Sequence, residues 1–400
     1  MNWVFFLLPA SAFVVAALAG GMESLSVATI KAAEGAVPLA LGLVGVMALF
    51  LGLMKVAERG GLLDALARLL APVLARLFPD VPAGHPAMGA MTMNVAANVL
   101  GLGNAATPFG IKAMEHLDTL NPHKGMASDA QVLFLAINTA SVTILPTSVI
   151  ALRVSAGASD PAAVVAPTLM ATLGSTVVAI VAAKLLRHLW PTGGATPAVC
   201  LRGSWLPVLA AAAVTVLLTG LLARFGQTVG PWIVPSLVVA VLGFGLARKV
   251  AIYDAFVEGA REGFRVAVRI IPYLVAILVA VGMVRASGAL DMVVGPLGRL
   301  TSAFGVPAEA VTMAVMRSLS GSGSFGLLAD SMKDSAIGPD GFTGILLGTI
   351  YGSSETTFYV MAVYFGAVGI RRVRHALAAG LLADFAGLVF AVLACRLLVP

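Results

Sequence analysis

Polar residues in this chain fall in short clusters between long apolar runs. Nine runs are long and apolar enough to cross a bilayer: approximately residues 3–20, 36–57, 129–152, 162–187, 204–223, 230–247, 267–286, 342–366 and 376–398. A span needs about 20 apolar residues to cross roughly 30 Å of hydrocarbon. No strand-like alternation suggests a barrel, and open sheets are not tolerated at that depth, so the spans are expected to be helices. Two further stretches, 86–111 and 308–328, are long enough to cross but poorly suited to it. The first carries Asn94, Asn98, Gly101, Gly103, Asn104 and Pro108, and the second carries Arg317, Ser318, Ser320 and the run Gly321 to Ser324. Glycine and polar side chains unwind a helix there, which is tolerable only inside protein or beside a water-filled cavity.

The pattern repeats at an offset of roughly 220–228 residues. Glu34-Gly35, an apolar run, Gly61-Leu-Leu-Asp64, a proline-spaced segment and Gly101-Leu-Gly-Asn104 are matched in order. Their counterparts are Glu262-Gly263, another apolar run, Gly288-Ala-Leu-Asp291, prolines and Gly321-Ser-Gly-Ser324. A duplicated membrane unit interrupted by polar, glycine-rich segments points to a solute pathway. Each unit is preceded by a short segment suited to the interface. Residues 251–265 stripe Ile252, Phe256, Ala260 and Phe264 along one face, and 22–34 is a less clearly amphipathic counterpart. The Pro/Gly/Thr-rich stretch 191–204 reads as the linker, giving a first repeat at 1–195 and a second at 196–400.

Composition narrows the class. The chain is 59% hydrophobic and 11% charged, with a mean hydropathy of +0.99; a soluble domain carries about 25% charged residues. The formal charge of +6 comes from basic residues at the ends of apolar runs, which set topology and do not form a nucleic-acid surface. Cys200 and Cys395 have no paired spacing, and the five histidines are scattered, so neither a disulfide framework nor a metal site is expected. The opening segment lacks a positive n-region despite the Ala17-Leu-Ala19 motif, and reads as an uncleaved first span.

Charge also decides whether the two odd stretches cross. If both are re-entrant, entering and leaving on one side, seventeen Lys and Arg residues fall on one side and seven on the other. If both cross, the same residues divide eleven against thirteen. Only the re-entrant arrangement shows the positive-inside bias. It puts the N-terminus in the cytoplasm and the C-terminus outside, and it inverts the second repeat relative to the first. The expected fold is therefore all-α and integral to the membrane, with two inverted-topology repeats, about nine transmembrane helices and two re-entrant hairpin or broken-helix segments whose tips meet near the midplane.

Ionisable groups within a membrane cost several kcal/mol unless paired or hydrated, so each is a functional candidate. Arg317 and Glu355 lead, and their mutual pairing to hold the re-entrant element is the bland alternative. Asp384 reads more simply as a structural hydrogen-bonder. Candidate solute-binding residues in the first half are Asn94, Asn98, Asn104, Asn138, Thr139 and Ser141. In the second they are Arg317, Ser318, Ser320, Ser322, Ser353, Ser354, Glu355 and Thr356. Amides and hydroxyls suit a hydroxylated or heterocyclic solute, freed backbone N–H groups an anion, and freed carbonyls a cation. Helix–helix packing by the same small polar residues is the competing explanation for any one of them. Gly101-Leu-Gly-Asn-Ala-Ala106 fits a dinucleotide fingerprint only formally, and Ser320 to Ser324 forms no nucleophile elbow. No catalytic residue is assigned.

The motifs carry a resemblance. Asn98-Val-Leu-Gly-Leu-Gly-Asn-Ala-Ala-Thr-Pro-Phe-Gly110 and Leu135-Ala-Ile-Asn-Thr-Ala-Ser-Val-Thr143 resemble the spore maturation A group. Met316-Arg-Ser-Leu-Ser-Gly-Ser-Gly323 and Gly352-Ser-Ser-Glu-Thr-Thr-Phe-Tyr-Val360 resemble the B group. The chain looks like a fusion of the two within the nucleoside-recognition, or Gate, family, which is related to ferrous-iron and concentrative nucleoside transporters. The resemblance implies a multi-pass inner-membrane protein moving a small polar solute, nucleoside-like or anionic, through a site between the re-entrant tips. Na⁺ or H⁺ coupling is expected to involve Glu355, with no other cofactor. The rival expectation is a non-transporting membrane partner in envelope or spore maturation. Metal permeation lacks Cys or His clustering at the broken segments. The expected partners are the lipid bilayer and the solute, with self-association into a homo-oligomer left open.

Overall fold

A computed structural model describes residues 2–82, 84–101, 106–190, 232, 234–289, 292, 296, 301 and 304–399. The expected linker 191–204, the span 204–223 and Asn104 lie outside the described residues. The described chain is helical: α1 Asn2–Ala19, α2 Met22–Arg59, α3 Leu62–Leu77, α4 Pro86–Val99, α5 Ala106–Leu120, α6 Asp129–Ala140, α7 Thr147–Ser155 and α8 Val165–Leu186. After the undescribed stretch come α9 Val234–Ala247, α10 Ile252–Ala286, α11 Ala308–Leu319, α12 Gly321–Lys333, α13 Phe342–Gly352, α14 Thr357–Ala367 and α15 Ala376–Leu398.

Two expected spans are not continuous. The run at 129–152 is α6 and α7 with an unwound segment at 141–146, and the run at 342–366 is α13 and α14 with a break at 353–356. Pro146 explains part of the first break, because it removes a donor and pushes Leu145 out of the α region. Ser141 adds to it with a left-handed φ of 33°. The second break follows Gly352 and carries two serines and a threonine, whose side chains compete with the helix for backbone partners. Conversely, the two expected interfacial segments are not separate elements. Residues 22–34 continue into α2 (38 residues) and 251–265 into α10 (35 residues). At 1.5 Å per residue α2 is about 57 Å long, well beyond the hydrocarbon thickness.

The two odd stretches are helical hairpins. α4 packs on α5, and α11 on α12. Each arm has 12 to 15 residues, about 18–23 Å of helix, too short to cross alone.

The chain forms two compact units, each drawn from both halves of the sequence. The first comprises Met1–Val56, Thr147–Val164 and Val234–Tyr351; the second comprises Ala57–Pro146, Val165–Ile233 and Gly352–Pro400. In the first, α2 and α10 run antiparallel. Gly263 lies against Ala48, Gly52 against Phe256 and Gly282 against Ala32, and Lys55 pairs with Glu258 at 3.5 Å. Gly259 and Gly263, four residues apart, let the backbones approach in the manner of membrane helix pairs. In the second, α8 packs along α15, and Ser175 donates to the Ala383 carbonyl at 2.7 Å. A core of Phe78, Met91, Met114, Phe134, Phe365 and neighbouring aliphatics fills the space beside hairpin α4–α5.

One buried arginine secures the loop after a hairpin in each unit. In the first, Arg153 is fully buried and donates to the carbonyls of Pro339 and Asp160, and it pairs with Asp340 at 3.1 Å. In the second, Arg374 donates to the carbonyls of Ala127 (3.1 Å) and Trp190 (2.5 Å), and it pairs with Asp129 at 2.6 Å. Arg153 belongs to the first half of the sequence and holds the loop before α13; Arg374 belongs to the second and holds the loop before α6. They stand 221 positions apart, within the repeat offset.

Candidate functional site

In the second unit, the end of α4 meets the first helix break, and the second break meets the end of α6. The Ile144 amide donates to the Val99 carbonyl at 3.0 Å, and the Glu355 amide donates to the Thr139 carbonyl at 2.8 Å. Gly101, with φ of 73°, lies directly under the Leu145 carbonyl, where a Cβ would collide. Both the backbone conformation and the close approach therefore require glycine at the tip.

The amides expected at this place form one buried network. Asn98 Nδ2 donates to Asn138 Oδ1 at 2.9 Å, and Asn138 Nδ2 donates to the Phe134 carbonyl at 2.9 Å. Asn94 Nδ2 reaches the Ala106 carbonyl at 2.9 Å and the Tyr364 hydroxyl at 3.2 Å, and that hydroxyl donates to Asn138 Oδ1 at 3.4 Å. Tyr364 stacks on Phe134 with ring centroids 6.1 Å apart. Its hydroxyl occupies the space a side chain at Gly110 would take. A tyrosine in an apolar helix gave no sequence signal of this role; the glycine opposite it is visible only in the fold.

Three buried oxygens on the helices that meet here have no hydrogen-bond partner among the described residues: Asn94 Oδ1, Thr139 Oγ1 and Thr168 Oγ1. Thr168 lies on α8 against Gly352, which also touches Pro146. Buried acceptors left unpaired cost about 1–3 kcal/mol each, so a cluster of them at an unwound backbone fits a place where water or solute completes the set. Ser141, Ser353, Ser354, Glu355 and Thr356 form the breaks themselves, and Ser353, Ser354 and Thr356 are buried. Behind the second break, Thr357 donates to Asp384 Oδ2 at 2.7 Å, a structural use of that carboxylate.

The remaining candidates lie in the first unit. The Arg317 guanidinium sits 4.5 Å from the centroid of the Tyr351 ring. Phe325 packs on the same ring at 5.6 Å. Tyr351 is the penultimate residue of α13, so the cation stands over the last turn of that helix. Several serines of this hairpin have local work. Ser318 donates to the Ala314 carbonyl at 3.2 Å. Ser320 caps α12 by accepting from the Gly323 amide at 3.0 Å and stands 3.5 Å from Ser322 Oγ.

Comparison with known proteins agrees with the sequence motifs. The Gate family, described as nucleoside recognition, matches residues 40–156. Spore maturation protein A of Bacillus subtilis (strain 168) is 45% identical over 162 residues, covering 40% of this chain and 83% of that protein. Spore maturation protein B of the same organism is 44% identical over 165 residues, covering 41% of this chain and 92% of that protein. Among solved structures, CNTnw in an inward-facing substrate-bound state aligns with a TM-score of 0.46 at 14% identity, over 98% of this chain and 91% of that one. An outward-facing state of CNTnw gives 0.49 at 15% identity, over 97% and 85%.

Proposed function

We propose that this chain, which belongs to the family of the spore maturation proteins A and B, is a multi-pass inner-membrane transporter for a small polar solute. The observation that carries the reading is the junction of two unwound helices, the first packed on the end of hairpin arm α4 and the second joined to α6 by the Glu355 amide on the Thr139 carbonyl. Buried oxygens near it have no partner among the described residues. Membrane proteins tolerate irregular backbone at depth only where it is buried in protein or lines a cavity, and transporters place substrate at such breaks. The amide–phenol network of Asn94, Asn98, Asn138 and Tyr364 supports a hydroxylated or heterocyclic ligand with few formal charges. Arg317 would supply the contact to an anionic group, and Glu355 would serve a coupling Na⁺ or H⁺. In this reading both hairpins are re-entrant, the repeats are inverted, the N-terminus is cytoplasmic and the C-terminus is outside.

Uptake of a solute panel into proteoliposomes, with and without Na⁺ and H⁺ gradients, tests this directly. Gradient-dependent uptake that falls at least tenfold in Arg317→Ala and Glu355→Gln is expected. If no solute in the panel moves, or both variants transport as well as the parent, the assignment fails. The names of the two bacterial relatives favour a second reading, a non-transporting partner in envelope or spore maturation. Stoichiometric co-purification with an envelope enzyme, together with inert proteoliposomes, would select it.

A further inference from the structure

Three segments of the second unit come together where α8 ends and α15 begins. They are the turn Arg187–Leu189 with Trp190, the loop 368–375, and the loop 121–128. Their junction is pinned by backbone bonds. The Arg371 and Arg372 amides both donate to the Gly125 carbonyl, at 2.9 and 3.0 Å, and the Ala127 amide donates to the Arg372 carbonyl at 3.0 Å. Arg374, in a left-handed conformation (φ 53°), ties the Trp190 carbonyl to the same loop. The Trp190 and His375 rings stack at 6.2 Å.

The charge on this platform is unbalanced. Asp129 is taken by Arg374 and Asp118 by Lys124, at 2.6 and 2.8 Å. Arg187, Arg371 and Arg372 form no ion pair among the described residues, and the latter two are exposed. Burial, and then the Arg374 and Arg187 charges, hold the His375 imidazole below its usual value, so it adds no cation at neutral pH. Beside these cations the surface is apolar: Leu185 and Leu189, one turn apart, are 51% and 70% exposed, and Trp190 is 40% exposed. Cations at the end of a span, with an exposed tryptophan and two leucines on the adjoining helix face, match the two parts of a phospholipid.

We infer that this platform is a binding site for one anionic phospholipid: Arg187, Arg371 and Arg372 hold the phosphodiester head group, and Leu185, Leu189 and Trp190 receive the first acyl carbons. Three cations with no ion-pair partner among the described residues favour an anionic head group over a zwitterionic one, whose own ammonium would be repelled. The site does not depend on the transport reading, because it stands apart from the helix breaks.

Quenching of tryptophan fluorescence by brominated lipid tests it on the full chain in mixed micelles. The Trp190 signal is the difference between the parent and Trp190→Phe, a change that leaves the Trp190 carbonyl on Arg374. Brominated phosphatidylglycerol is expected to quench this signal at lower mole fraction than brominated phosphatidylcholine. Each of Arg187→Gln, Arg371→Gln and Arg372→Gln should reduce the preference about fivefold. The control Arg261→Gln/Arg265→Gln, on exposed positions of α10, should keep it. Equal quenching by the two lipids overturns the proposal, as does a preference that survives the triple variant. An equal loss in the control would show diffuse surface charge instead of a site. Full displacement of the phosphatidylglycerol signal by inorganic phosphate at the same concentration would show a free-anion site and overturn it equally.

Discussion

Asp340→Asn isolates what the buried arginine at the end of α7 contributes. Arg153 is fully buried and pairs with Asp340, 43% exposed, while the Asp160 carboxylate adds a second, weaker negative charge; its other ligands are the carbonyls of Pro339 and Asp160. The substitution keeps the shape and an acceptor but strands a buried cation. Breaking a fully buried pair costs about 3–5 kcal/mol. Half-exposed Asp340 lets water replace part of its charge, which brings the expected loss to about 2–3 kcal/mol. The measurement is equilibrium unfolding of the detergent-solubilised chain at neutral pH, with hydrogen exchange over 156–160 and 334–341 as the local readout. Arg153→Gln/Asp340→Asn, which removes the stranded charge, should recover about 1 kcal/mol or more relative to Asp340→Asn alone. Acid supplies a second axis. Burial raises the Asp340 carboxyl, but the Ser159 hydrogen bonds and the Arg153 charge outweigh it and hold the group below the usual carboxylate value. Its contribution is therefore complete above the unfolded value near about 3.9 and is lost as pH falls through the lower folded one. Asp340→Asn should flatten that part of the acid limb. An unchanged midpoint and unchanged exchange would refute the reasoning.

Two further expectations follow from close contacts. Gly110→Ala should displace Tyr364 and destabilise by about 1–3 kcal/mol, with partial recovery in Gly110→Ala/Tyr364→Phe; thermal unfolding of the four proteins checks it. Tyr351→Leu should remove the ring beneath Arg317 and cost about 0.5–2 kcal/mol. Under the transport reading it should also raise KM for uptake of an anionic solute more than it lowers the maximal uptake rate; a proportional fall in the maximal rate would point to impaired translocation instead.

The apolar runs located the described helices and both hairpins, because an apolar run is a local, compositional signal. Helix continuity was less legible. Pro146 was visible at the first break, but the left-handed Ser141 and its partner loops depend on contacts from distant segments. The segments 22–34 and 251–265 looked like separate interfacial helices from their charge, yet nothing in Glu34-Gly35 or Phe264-Arg265 stops a helix from propagating. The amide cluster could be proposed from Asn94, Asn98 and Asn138 alone. Tyr364 could not, since its role depends on Gly110 lying opposite. Arg153 and Arg374 read as topology charges at span ends; that each is sequestered by a loop from the other half of the sequence is invisible without the fold.

The composition of the two units has a consequence for biosynthesis. A ribosome that has completed residue 195 has made neither unit: the first still needs 234–351 and the second needs 196–233 and 352–400. Helix α8 then waits in the bilayer with Ser175 without its Ala383 partner until α15 is synthesised, since that bond spans 208 residues. Contacts of such long range slow folding and leave the nascent intermediate exposed to quality control. A chain severed near residue 195 would therefore assemble only if both pieces were produced in equal amounts. A single continuous polypeptide guarantees that ratio with every round of translation.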